Sequence, residues 1–189
     1  RLMLSLQVKG EEISVNTQLF GEYNLNNVLT AAAIGVYFNV SLKDVKNAIS
    51  DYWPSNNRSE IKKTSKENTV ILDAYNANPT SMQNAIIQFS KNAGENSICI
   101  LGDMYELGKD AGSSHLMILN QVSVFSGINL MVGAEFYKFS EQFKKYPRIK
   151  FYENVRVLVN SKYLISIHNT AIFVKGSRGV ALEKLLPLL

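Results

Sequence analysis

The feature that most constrains the fold is a rhythm in the chain beyond residue 68. Five short apolar runs, "TVILDA", "SICILGD", "INLMVG", "IKFY" and "AIFVKG", are each followed by a segment of helical character, beginning at Pro79, Ser113, Ala134, Asn154 and Arg178 respectively. The runs are largely continuous in their apolar character rather than alternating, which is what a strand covered on both faces requires. Strand-then-helix repetition of this kind predicts an α/β, Rossmann-like domain with a mostly parallel sheet and helices on both faces. In such open sheets ligands bind beyond the carboxyl ends of the strands, so the residues that close each run are the first place to look for chemistry.

The preceding residues follow another pattern. In "RLMLSLQVKGEEISVNTQLFG", Leu2, Leu4, Leu6 and Val8 alternate with other positions, "KGEE" turns the chain, and Ile13, Val15 and Leu19 resume the alternation, which predicts a hairpin. The Ala-rich run "NNVLTAAAIGVYFNV" predicts a buried helix, and "SLKDVKNAISDY" a shorter amphipathic one with Ser41 as its N-cap. The polar stretch "PSNNRSEIKKTSKEN" then separates the two patterns, which sets the boundary between residues 1–54 and 55–189. With no initiator Met ahead of it, the chain reads as a piece of a longer protein.

Composition narrows the class. The chain is 46% hydrophobic and 19% charged, as in ordinary globular domains, and no apolar run approaches the roughly 20 residues that span a bilayer. A cytoplasmic protein with no membrane partner is expected. Cys99, the single cysteine, lies inside "SICIL" and has no disulfide partner in the chain, so it reads as an inert buried thiol. The net charge of +4 raises nucleic acid as a partner, but the basic residues are scattered among acids without aromatic interleaving. A solvated surface, no nucleic-acid partner and a monomer are expected.

Three strand ends concentrate polar residues: "DAYNANPTSM", "LGDMYELG" and "KGSRG". A plain connection needs one or two turn formers, whereas Asp73, Tyr75, Asn76, Asn78, Thr80 and Ser81 crowd into the first. Gly102, Gly108, Gly176 and Gly179 permit close backbone approach, and helix N-termini offer N–H groups to anions. Any one junction alone could be a capped turn; three together point to a ligand site. It is not a P-loop. The nearest match runs from Gly102 to Gly108 with one residue too many between the glycines, and is followed by Lys109 and then Asp110, a carboxylate that would repel phosphates. If ATP is used, its phosphate cradle lies outside this chain.

In this order and spacing, "DAYNANPTSM", "LGDMYELG" and "KGSRG" resemble the C-terminal domain of the Mur ligases, and specifically of the type that adds D-alanyl-D-alanine to the peptidoglycan precursor. "GEYNLNNVLTAAA" is similar to the end of that family's central ATP-binding domain. The resemblance covers nearly the whole chain. It implies an ATP-dependent amide-bond ligase acting on UDP-MurNAc-tripeptide and D-alanyl-D-alanine through an acyl phosphate, with ATP and Mg2+ required. It also implies that the catalytic residues and the Mg2+ ligands lie upstream, so that the chain alone would be inactive.

Carried over residue by residue, the resemblance implies ATP binding by Asn24, Asn27, Arg58 and Asp73. It implies binding of the peptide substrates by Tyr75, Asn76, Asn78, Ser81, Lys175, Ser177 and Arg178, with Lys175 and Arg178 as alternatives for the dipeptide carboxylate. Asp103 and Glu106 are expected to orient loops, and His115 to make a structural hydrogen bond rather than to catalyse. Tyr23 stands where many relatives carry His, and Leu72 where a second Asp often precedes the first. Two other readings remain open: a sister ligase such as folylpolyglutamate synthetase, and a non-catalytic nucleotide-binding or interaction module.

Overall fold

The computed structural model describes residues 1–8 and 10–189, so the Lys9 position of the expected "KGEE" turn lies outside the described residues. Two compact units emerge, Arg1–Ser55 and Asn56–Leu189.

In the first unit, β1 (Met3–Val8) pairs antiparallel with β2 (Glu11–Asn16), with Leu6 opposite Ile13. The period-2 pattern puts Leu6 and Val15 inside, against Ala32 of α1 (Leu25–Tyr37) and Val45 of α2 (Leu42–Asp51). Ser41 caps α2 by accepting from the Asp44 N–H at 3.2 Å. The expectation that α1 is buried needs correction. Only Val28 and Ala32 are buried on it, while Ile34 and Tyr37 are 54% and 79% exposed. Its alanines favour the helix by intrinsic propensity, so a single narrow stripe against the hairpin is enough to hold it.

The second unit is a six-stranded sheet in the order β3-β4-β8-β5-β6-β7. Here β3 is Glu60–Lys63, β4 Thr69–Asp73, β5 Ser97–Gly102, β6 Ile128–Val132, β7 Ile149–Tyr152 and β8 Ala171–Lys175. All neighbours are parallel except β3, which runs antiparallel to β4 at the edge. β3 falls within the stretch read above as a polar connection.

Helices α3 (Pro79–Asn92) and α4 (Ala111–Val122) cover one face of the sheet, where the Phe89 ring stacks on Phe173 of β8 at 5.4 Å. Helix α5 (Ala134–Tyr137) is a single turn against α4, with the Phe136 ring 4.6 Å from that of His115. On the other face, Leu158 of α6 (Val155–Asn160) and Leu164, Leu182, Leu185 and Leu189 join Val70, Leu72, Ile172 and Val174 in one core. Leu72, Ile172 and Val174 point to one side and Phe173 to the other, as the pleat requires. Asn68 is fully buried and holds the last residues in place. Its amide donates to the carbonyls of Ile167 and Leu189, and its oxygen accepts from the Thr170 N–H.

The strand order decides where the polar clusters meet. The chain returns from β7 through α6 to insert β8 between β4 and β5, which puts Asp73 opposite Lys175, and Lys175 opposite Leu101. "DAYNANP", "KGSRG" and "LGDMYELG" therefore leave three adjacent strands at one edge of the sheet. The fit there is close. A Cβ on Gly176 would stand 2.9 Å from the Gly102 Cα, so the chain leaving β8 has no room for a side chain at this crossing.

Candidate functional site

At the end of β4, Asp73 turns its carboxylate to Lys175, whose Nζ lies 2.7 Å from Oδ2, while Oδ1 accepts from the Ser59 N–H at 3.3 Å. The same ammonium donates to the Asn76 carbonyl at 3.2 Å. Lys175 is buried, and a buried ammonium requires a countercharge. Through these contacts one side chain of β8 ties together both ends of the Asp73–Asn76 segment. The expected nucleotide ligand Asp73 and the expected peptide ligand Lys175 are thus partners in one ion pair.

The rest of the "YNANP" cluster divides into structural and open groups. Asn78 caps α3: its Oδ1 accepts from the Ser81 N–H at 2.9 Å, and the Ser81 Oγ accepts from the Asn78 N–H at 3.2 Å. With Pro79 opening the helix this is a reciprocal capping box. Asn76 spends its Oδ1 on the Ala77 N–H at 2.8 Å. Tyr75 is the exception. Its half-buried ring carries the Arg58 guanidinium at 3.8 Å from the centroid and that of Arg178 at 5.5 Å. These three residues, with Asn56 and Asn57, line an open cleft of about 440 Å³.

Among the described residues no carboxylate lies within 4.0 Å of either guanidinium. The cleft therefore presents two exposed cations and their planar donor forks to solvent, an arrangement suited to phosphate or carboxylate oxygens. Asn56 and Asn57 have φ of 59° and 61°, the left-handed region that Asn tolerates, and they turn the chain so that Arg58 reaches Tyr75. Sequence reasoning missed both as cleft residues; the paired Asn ahead of Arg58 was the available signal.

The β5 end is a scaffold. Asp103 accepts from the N–H groups of Glu135 and Phe136 at 2.9 and 3.0 Å, at the start of α5, and its carbonyl accepts from the Ser177 N–H at 3.0 Å. Gly133, with φ of 135°, leaves the space that this carboxylate fills. Burial pushes the Asp103 carboxyl above the usual carboxylate range, against the opposing pull of the two N–H groups and of His115. Ser177 is buried, and its Oγ accepts from the Tyr105 N–H at 2.9 Å, so it staples two loops together. The Tyr105 phenol is raised by burial and, less, by the Asp103 charge.

His115 accepts from the Met104 N–H through Nε2 at 3.0 Å, and its Nδ1 lies 2.6 Å from the Ala111 carbonyl. Both ring nitrogens are committed to backbone, as a structural histidine requires, and the 3.6 Å approach of Nε2 to Asp103 is secondary. Glu106 is exposed, with φ of 62°. In the first unit, Asn24 donates to the Phe20 carbonyl at 2.8 Å, and the exposed Asn27 donates to Asn24 Oδ1 at 3.1 Å. Among the described residues no three His, Cys, Asp or Glu side chains converge to hold a metal ion, and no helix is long and apolar enough to cross a membrane.

The family profile described as "Mur ligase, glutamate ligase domain" matches residues 57–178, inside the second unit and across all three strand ends. The chain belongs to the Mur ligase family. A UDP-N-acetylmuramoyl-tripeptide–D-alanyl-D-alanine ligase from Buchnera aphidicola is 34% identical over 91% of this chain and 37% of its own length. The enzyme of the same name from Bacillus subtilis is 27% identical over 95% of this chain and 40% of its own. In three dimensions, a crystal structure of MurF from Acinetobacter baumannii superposes with a TM-score of 0.84, at 23% identity, over 98% of this chain and 41% of that one. This Mur ligase chain thus spans about two fifths of the length of those relatives, and the shared fold extends over both of its compact units.

Proposed function

We propose that the chain is the carboxyl-terminal part of an ATP-dependent ligase that joins D-alanyl-D-alanine to UDP-MurNAc-tripeptide. The observation that carries this reading is that curated relatives aligned along 91% and 95% of the chain bear that one activity in their names. The chemistry would proceed in two steps. ATP phosphorylates the terminal carboxylate of the tripeptide, releasing ADP. The dipeptide amine then attacks the acyl phosphate, forming the amide and expelling inorganic phosphate with loss of a proton.

The residues of this chain would bind and orient. Arg58 holds a nucleotide phosphate and Arg178 the dipeptide carboxylate, since both face the open cleft with their donors unclaimed by carboxylates. Lys175, buried against Asp73, supports that cleft rather than entering it. Within the second unit Asp73 joins Arg58 on the nucleotide side, with Tyr75, Asn76, Asn78, Ser81 and Ser177 shaping the peptide side; Asn24 and Asn27 are the ATP-binding residues expected of the first unit. Magnesium would accompany the ATP, held by residues outside this chain, since the described residues form no ligand set for it. Residues 1–54 would close the ATP-binding domain, and the enzyme would act as a cytoplasmic monomer in cell-wall precursor synthesis.

Steady-state kinetics of the full-length protein, with ATP and dipeptide varied independently, test this reading. Arg178→Ala should raise the dipeptide KM about tenfold to a hundredfold, as expected for loss of a charge-assisted hydrogen bond, and leave the ATP KM within about threefold. Unchanged dipeptide affinity would move the carboxylate site away from the β8 end.

A further inference from the structure

Arg58 and Arg178 come from opposite ends of the second unit's sequence, yet both guanidinium groups lie over one aromatic ring, at 3.8 and 5.5 Å from its centroid. Both distances fall within the roughly 6 Å reach of a cation–π contact. The segment that carries the ring is restrained, because Lys175 Nζ holds the Asp73 carboxylate two residues before Tyr75 and the Asn76 carbonyl one residue after it. Two like charges brought together in this way repel, and among the described residues no carboxylate within 4.0 Å relieves them. The Tyr75 hydroxyl makes no hydrogen bond among the described residues, so the face of the ring rather than its polar tip makes the contact.

We propose that Tyr75 is a positioning residue, whose clamped ring fixes Arg58 and Arg178 in one cleft so that the two guanidinium groups meet their anions as a coupled pair. An anion held by one arginine lowers the repulsion felt by the other and steadies the shared ring. Nucleotide and dipeptide binding are therefore linked through Tyr75. The kinetic consequence rests on the ligase reading above; the placement of the arginines does not.

Two measurements separate these dependencies. In the 189-residue chain, the Nε–Hε resonances of Arg58 and Arg178 should show upfield ring-current shifts that survive in Tyr75→Phe and vanish for both arginines in Tyr75→Leu. Shifts absent from the parent chain, or persisting in Tyr75→Leu, overturn the proposal. In the full-length protein, Tyr75→Leu should raise the KM for both ATP and dipeptide by about twofold to tenfold, with Tyr75→Phe close to the parent. A Tyr75→Phe as impaired as Tyr75→Leu assigns the hydroxyl to substrate contact and overturns the positioning role. A Tyr75→Leu that loses only kcat or thermal stability overturns it as well. A full-length parent without dipeptide-dependent turnover defeats the ligase reading, and the arginine resonances then decide the role of Tyr75 by themselves.

Discussion

Lys175→Met keeps an unbranched side chain of similar length and removes the charge from the clamp at the β8 end. The side chains of Lys175 and Asp73 are only 4% and 13% exposed, so the change strands a carboxylate in a largely dry site. Removing one partner of a buried ion pair typically costs about 3 to 5 kcal/mol. The residual exposure of Asp73 and its bond from the Ser59 N–H put this case at the lower end, about 3 kcal/mol. For a unit of about 130 residues each kcal/mol moves the midpoint by about 3 to 5 °C, so the expected fall in Tm is about 10 to 15 °C. Urea and thermal denaturation of the 189-residue chain measure it, followed through the transition of the second unit. Lys175→Met with Asp73→Asn should be more stable than Lys175→Met alone, because no uncompensated charge remains. A single variant within about 1 kcal/mol of the parent, or a double variant that costs the sum of its parts, would refute this account of the clamp.

Asn78→Ala removes one half of the capping box on α3 and should cost about 1 kcal/mol in urea denaturation; no loss would show that Pro79 alone suffices to start the helix. Cys99 is fully buried, and burial pushes its thiol well above the usual range, so a thiol reagent should modify it only after unfolding; rapid labelling of the folded chain would contradict that. Asp103 provides the pH dependence. Its raised carboxyl keeps a proton longer in the folded than in the unfolded state, so its contribution is largest at low pH and falls as pH rises from the ordinary carboxylate value through the raised one. The stability of the parent relative to Asp103→Asn should decline across that interval, and a rise there would reverse the assigned cause.

Four of the five strands read from the sequence, β4, β5, β6 and β8, lie inside the sheet, where burial on both faces forces a nearly continuous apolar run, as in "SICILG" of β5, whereas "IKFY" is the half-buried edge strand β7. Edge strand β3 escaped because only Ile61 of "EIKK" is apolar, and an antiparallel edge tolerates charge on its open side. Helix α1 was legible as a helix but not in its burial, since alanine signals propensity and not which face is covered. Helix starts shifted at the β5 and β8 ends. α4 opens at Ala111 after a 3-10 turn over Gly108–Asp110, and the helical segment expected from Arg178 is two 3-10 stretches, Arg178–Val180 and Leu182–Leu188, parted at Ala181 by a left-handed φ of 61°.

Within the site, the clustering of polar residues at three strand ends could be read directly, whereas their pairings could not. Asp73 and Lys175 are 102 residues apart and meet only because β8 inserts beside β4, which no local pattern specifies. The same insertion carries Arg178 to Tyr75. The capping role of Asn78 and Ser81 was encoded by spacing, as an N-cap and N3 pair around Pro79, and it accounts for part of the polar crowding that the sequence alone leaves ambiguous.

The most direct test of the ligase assignment is mass spectrometry of the products made by the full-length protein from ATP and UDP-MurNAc-tripeptide, with D-alanyl-D-alanine in one reaction and L-glutamate with a folate acceptor in another. The account predicts UDP-MurNAc-pentapeptide, with ADP and phosphate released in equal amounts, only in the reaction that contains the dipeptide. Glutamate addition to the folate without any pentapeptide would contradict it and assign the chain to a sister ligase.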